Sequence, residues 1–150
     1  MKTKLITFLL ILLIPHCGFN PVYIKGNTPN YKVIVQETNG DEYLNNLINY
    51  ELKRISNSNA SKTFYVDINS NFEKIVISKD AKGTVSEYEL KVVAKFNIKI
   101  NDKNKAISIE EKQILKNISN SFEQKNYEEN VKKNFAKMLV RKLNFELIKK

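Results

Sequence analysis

The chain is poor in the residues that most often carry chemistry. It has one histidine, His16, and one cysteine, Cys17, both near its beginning. Its 150 residues include only four glycines, with no Gly-x-Gly-x-x-Gly and no phosphate-cradling loop. A catalytic triad, a histidine-bearing metal cluster or an imidazole proton switch would need histidine beyond position 16. A lone cysteine cannot close a disulfide within the chain. The carboxylates that stand together, Glu110 with Glu111 and Glu128 with Glu129, are adjacent in sequence. Adjacent side chains point to different sides of a strand or helix, so these are solvated charges rather than acid/base pairs. The absences argue against an enzyme, a metal site and a bound cofactor.

What is present begins at the N-terminus. Lys2 and Lys4 precede an apolar run from Leu5 to Ile14, which Pro15, His16, Cys17 and Gly18 follow. Such a run is too short for the roughly 20 residues of a membrane-spanning helix. It matches the hydrophobic region of a secretory signal, usually about 7–15 residues. A cysteine directly behind that region resembles the first residue of a mature bacterial lipoprotein. There the thiol takes a diacylglycerol thioether and the freed amine takes a further acyl chain. On this reading residues 1–16 are a signal peptide, Cys17 is the lipid anchor and residues 17–30 are a tether. Ile14 suits the lipoprotein pattern. Pro15 and His16 depart from it, His16 being bulky where Gly, Ala or Ser is usual. The other reading is a plain secretory signal cut nearby, with an incidental cysteine.

Net charge is +9, and losing Lys2 and Lys4 with the signal leaves +7 on 134 residues, enough for one domain with a single core. An excess of lysine suits an anionic partner. For an exported protein that partner is an anionic glycolipid or membrane surface rather than nucleic acid. The bland alternative is that scattered lysines serve solubility. Two Asn-x-Ser sequons, at Asn59 and Asn117, are the chance yield of an asparagine-rich chain.

The periodicity predicts a short succession of elements. Residues 18–30, with two prolines and several asparagines, read as an extended tether. Tyr31 to Gln36 reads as a strand. Thr38 to Asp41 then turns the chain, with Asp41 as helix N-cap. Leu44, Leu47, Ile48, Leu52 and Ile55 recur at helical spacing over about 42–55. Residues 62–79 read as strand, with Phe64, Val66 and Ile68 on one parity and Ile75 and Ile77 on the other. The flip predicts a bulge or a break near Asn69-Ser70-Asn71. Lys79 to Gly83 is a turn. From Tyr88 to Ile100 the alternation is strict: Tyr88, Leu90, Val92, Ala94, Phe96, Ile98 and Ile100 against Glu89, Lys91, Val93, Lys95, Asn97 and Lys99. After a hairpin at 101–105 comes an edge strand with Glu110-Glu111-Lys112 at its centre. A polar loop, 117–125, leads to a helix over about 127–147 with Tyr127, Val131, Phe135, Met138, Leu139, Leu143 and Leu147 on its apolar stripe. The expected fold is α+β: a two-layer sandwich in the order β-α-β-β-β-α. A mostly antiparallel sheet of about four strands has both helices on one face.

The segment Cys17-Gly18-Phe19-Asn20-Pro21-Val22-Tyr23 resembles the opening of one branch of the lipopolysaccharide-assembly lipoproteins LptE. Gly83-Thr84-Val85-Ser86-Glu87-Tyr88-Glu89-Leu90 is similar to that family's approach to its central strand, where Tyr-x-Leu is common. The order of elements agrees over nearly the whole chain. The resemblance implies an outer-membrane lipoprotein on the periplasmic side. It would plug the lumen of the β-barrel protein LptD, help assemble that barrel and assist lipopolysaccharide delivery to the outer leaflet. Cys17 is the one functional residue that carries over. The polar strand face of Glu89, Lys91, Lys95, Asn97 and Lys99 would meet the polar lumen of a barrel. For lipopolysaccharide itself the candidates are Lys79 and Lys82, lysines beside the hairpin turn before Gly83 that can donate to phosphate. The alternative is an auxiliary lipoprotein of another envelope lipid-transport or secretion complex, a binding or pilot module with no barrel to plug.

Overall fold

The structure, a computed structural model, describes residues 30–149 apart from residue 102. The chain runs β1 (Tyr31–Gly40), α1 (Glu42–Ile55), β2 (Lys62–Lys79), β3 (Val85–Ile100), β4 (Lys103–Lys116) and α2 (Ser121–Ile148). The strands form one sheet in the order β1-β2-β3-β4. β1 pairs parallel to β2 through the α1 crossover, and the other two pairings are antiparallel hairpins. The α+β order expected from the sequence is present, with both helices on one sheet face.

That face is made by the alternation in β3. Leu90, Val92, Ala94, Phe96 and Ile98 are buried, and so are Phe64, Val66 and Ile68 of β2. Above them lie Leu44, Ile48 and Leu52 of α1 and Val131, Phe135, Leu139 and Leu143 of α2. At roughly 25 cal/mol per Å² of apolar surface, this continuous layer is the main source of stability. Tyr31 closes one end, edge-on to Phe64 with ring centroids 5.5 Å apart, its hydroxyl donating to Asn144 Oδ1. Burial raises the Tyr31 pKa.

Three expectations need correction. β2 does not break near Ser70. Ser70 takes an inward position and is buried, so the inward row runs on to Phe72. Its hydroxyl donates to Asn45 Oδ1 at 2.8 Å, which makes a polar residue tolerable there. The irregularity comes later, where pairing moves from Val76–Tyr88 to Ser78–Glu87. Ile75 stands opposite Glu89 and so belongs to the outer face.

Second, α2 begins at Ser121, inside the segment read as a loop. Asn120 Oδ1 accepts from the N–H groups of Phe122 and Glu123, and Gln124 Oε1 accepts from Ile118 N–H. Capping holds this first turn, not an apolar stripe: Phe122 is 71% exposed and Tyr127 is exposed too. Third, the segment Thr38–Gly40, read as a turn, is the end of β1, lying beside Ile68–Ser70 after an irregularity past Val35.

The crossover from β1 to α1 depends on Gly40. Its φ of 94° is one that L side chains rarely adopt, and a Cβ there would lie 1.8 Å from the Ser70 carbonyl oxygen. Asp41 follows as the expected N-cap, accepting from Leu44 N–H at 2.8 Å. Lys132 of α2 reaches the other oxygen at 3.0 Å and stands 4.0 Å over the Phe72 ring. Burial by itself raises the Asp41 carboxyl. The Leu44 N–H, the Lys132 ammonium and the Tyr43 N–H together override it and hold the group below its ordinary value.

Candidate functional site

The helices cover one face of the sheet and leave the other open across all four strands. Register decides what the open face carries. Tyr65, Asp67, Asn69 and Asn71 of β2 stand opposite Lys99, Asn97, Lys95 and Val93 of β3. Beyond them come Asn104, Ala106, Ser108 and Glu110 of β4. The centre is therefore amide-rich with mixed charge. Its charges knit across and along the strands: Lys91 Nζ lies 3.7 Å from Glu110 and Lys112 Nζ 3.7 Å from Glu89 on the neighbouring strand, and Lys112 Nζ lies 3.4 Å from Glu110 on its own strand. Exposed cross-strand pairs of this kind contribute little stability, on the order of 0–1 kcal/mol each. Their effect is to leave a broad surface that presents hydrogen-bonding groups of both signs.

The same face turns apolar toward the β2–β3 hairpin. Ile75 lies opposite Glu89, which lies opposite Ile114. Ile75, Ile77 and Ile114 are 40%, 43% and 60% exposed.

Beyond this apolar end stand Lys79 and Lys82. Lys79 closes β2 opposite Val85, and Lys82 lies in the turn. Asp80 builds the turn: its Oδ1 accepts from Lys82 N–H at 2.9 Å and from Thr84 N–H at 2.8 Å, and its carbonyl accepts from Gly83 N–H. Both lysines are exposed, and among the described residues neither forms an ion pair. The structure thus puts the two candidates on one hairpin tip, with Asp80 between them. The remaining candidate, Cys17, lies outside the described residues, with the tether and His16.

β4 and α2 frame a second feature. Glu110 and Lys112 face outward, whereas Glu111, between them, points inward to Lys142 Nζ of α2 at 2.6 Å. A charge turned inward on an edge strand discourages a further strand from pairing there. Next to it an open groove of about 720 Å³ runs between β4 and the end of α2, lined by Ile107, Ile109, Arg141, Lys142, Phe145 and Ile148. The groove and the hairpin lysines are far apart. Phe96, opposite Ile107, and Val85, opposite Lys79, are eleven positions apart on β3, about 35 Å along the strand.

Sequence reasoning found the open face through its alternation. It missed the inward Glu111, the Asn45–Ser70 pair and the cations that the helices turn to solvent. Polar residues at inward positions give no sign in a hydrophobic pattern until their partners are known.

Among the described residues, no group of three acidic, histidine or cysteine side chains could hold a metal, and no helix is long and apolar enough to cross a membrane. No family model and no curated protein matches the sequence. Solved structures do resemble it. The rare lipoprotein B of Shewanella oneidensis superimposes with a TM-score of 0.59 at 17% identity, over 75% of this chain and 92% of that one. A minor lipoprotein of Acinetobacter baumannii gives 0.49 at 12% identity, over 73% and 93%. Lipoprotein B of Nitrosomonas europaea gives 0.48 at 16% identity, over 76% and 82%. The fold seen here is thus one on which a bacterial lipoprotein of nearly the same extent is built.

Proposed function

We propose that this chain is an outer-membrane lipoprotein, anchored through acylated Cys17, that fills the lumen of the LptD β-barrel, helps assemble it and assists lipopolysaccharide delivery to the outer leaflet. The observation that carries this reading is the open sheet face. A barrel lumen is polar, and a plug must offer it polar groups while keeping an apolar core of its own. Here β2, β3 and β4 turn amides and mixed charge to one side over the centre of the sheet, and the buried core lies on the other. The Cys17-Gly18-Phe19 opening and the fold shared with a lipoprotein support the same reading. The role is that of a non-catalytic assembly and transport factor.

Affinity purification of the tagged chain from detergent-extracted membranes tests it. A large outer-membrane β-barrel protein is expected to be retained. Recovery of inner-membrane transporter subunits alone would favour the auxiliary-lipoprotein alternative. For lipopolysaccharide contact, Lys79 and Lys82 stand exposed on the hairpin tip, and among the described residues no carboxylate bridges either. Lys79→Glu with Lys82→Glu is expected to weaken lipopolysaccharide binding without lowering the melting temperature. Unchanged affinity would remove these two residues from the contact.

A further inference from the structure

The outward side of the helix layer carries a different kind of charge from the sheet. Lys133, Lys137 and Arg141 recur at four-residue steps along α2 and are exposed. Among the described residues none of the three takes part in an ion pair. Lys133 and Lys137 face Arg54 and Tyr50 of α1 across a shallow groove of about 360 Å³. Two acids beside this row are already held. Glu51 is bound by Arg54 at 2.6 Å, and Glu146 lies between Lys105 at 3.1 Å and Lys149 at 2.8 Å. Glu129 stands one step before Lys133 on the same row, half-buried, whereas Glu42 and Glu123 lie in the first turns of the helices. One step beyond Arg141 the row continues as Phe145, 59% exposed, and Tyr50 is 62% exposed.

Exposed cations that no ion pair neutralises among the described residues, flanked by aromatic rings on the same helical surface, suit a face that lies on an anionic interface. The ammonium and guanidinium groups meet lipid phosphates, while the rings and the lysine stems rest at the headgroup level. Each Lys or Arg near an anionic leaflet strengthens adsorption roughly five-fold, so a row of them is decisive where one would not be. The sheet face differs in that its Lys91 and Lys112 are already paired with Glu89 and Glu110. We infer that the helix face, along Lys133, Lys137 and Arg141 with Arg54, Tyr50 and Phe145, is the side on which this domain rests against a bilayer of anionic phospholipid. The inference does not depend on the barrel reading. It describes the domain on a membrane without a partner and turns the open sheet face away from the lipid.

The chain has no tryptophan, which makes a single-reporter experiment possible. Asn134→Trp places a reporter beside the cationic row, and Asn97→Trp places one on the sheet face. The membrane-extracted protein is reconstituted into phosphatidylcholine vesicles with or without phosphatidylglycerol, and quenching by acrylamide is measured. With phosphatidylglycerol, the reporter at 134 is expected to be shielded and the one at 97 to be unchanged. High salt should abolish the shielding, since it shortens electrostatic reach to about 3 Å at 1 M. The triple variant Lys133→Glu, Lys137→Glu, Arg141→Glu should abolish it too, three reversals costing at least on the order of a hundred-fold in adsorption. Equal quenching at 134 in both vesicle types, equal shielding at 97, or shielding that survives salt would each overturn the inference. The salt titration needs no charge-reversal variant, so the test stands even if the triple variant folds poorly. The barrel protein is absent throughout, so the outcome is independent of co-purification.

Discussion

β2 and β3 pass through two environments without changing their alternation. Between Phe64–Phe72 and Leu90–Ile98 their inward side chains lie under the helices, and Val66, Ile68, Leu90, Val92 and Phe96 are almost wholly inaccessible. Four residues past Phe72, on the same inward row, Val76 is 45% exposed, and Tyr88 opposite it is only half-buried. The strand geometry is continuous; the cover is not. Near this row α2 has thinned to its polar first turns, where Glu128 meets Lys74 at 2.5 Å and Gln113 Nε2 donates to the Tyr127 hydroxyl at 3.3 Å. An apolar residue at the right parity is therefore part of a core only where a second layer reaches it.

The covered half can be broken most directly at Phe96, among the largest side chains with no exposure. Phe96→Ala is expected to cost about 3–5 kcal/mol in urea unfolding, enough to leave a domain of ordinary stability near its threshold. One substitution made in both halves sharpens the contrast. Val92→Ala should cost about 2–3 kcal/mol, whereas Val76→Ala should stay within about 0.5 kcal/mol. Equal costs would mean that the hairpin end is packed in solution. A smaller effect than at Phe96 or Val92 belongs to the border of the covered region, where Lys132 meets Asp41. Asn caps helices about as well as Asp, so Asp41→Asn isolates the charge and is expected to cost about 0.5–1 kcal/mol at neutral pH. Because the folded carboxyl is held below its ordinary value, its contribution is complete above about pH 4 and is lost as pH falls through the folded value. The wild-type and Asp41→Asn unfolding curves should therefore converge in acid. A gap that persists there would assign the effect to geometry rather than charge.

Much of this was legible in the residues themselves. The thirteen-residue alternation from Tyr88 to Ile100 announced a two-faced strand, and Leu44, Ile48 and Leu52 announced α1. Asp41 was readable as a cap because its partner, Leu44 N–H, is local. What failed was non-local. Ser70 looks like an interruption until Asn45 is seen beside it. The first turns of α2 have no apolar stripe, and their caps, Asn120 and Gln124, are common in loops as well. Strand order and the parallel β1–β2 pairing are set by the crossover, which no single segment records. For the candidate site, alternation marked the polar sheet face. The cationic row at 133, 137 and 141 was hidden among lysines spread along the whole chain, because which cations find an ion-pair partner is a property of the folded surface.

The two longest tethers within the domain carry one more consequence. Lys132 binds Asp41 across 91 positions, and the Tyr31 hydroxyl binds Asn144 across 113. The oldest part of the nascent chain is thus closed by its youngest. Loop closure over such separations must precede any gain from the contacts, and it slows folding. β1 and α1 have to wait for α2, so the domain completes in a single late event. A chain ending short of Lys132 would lack the element that locks the crossover.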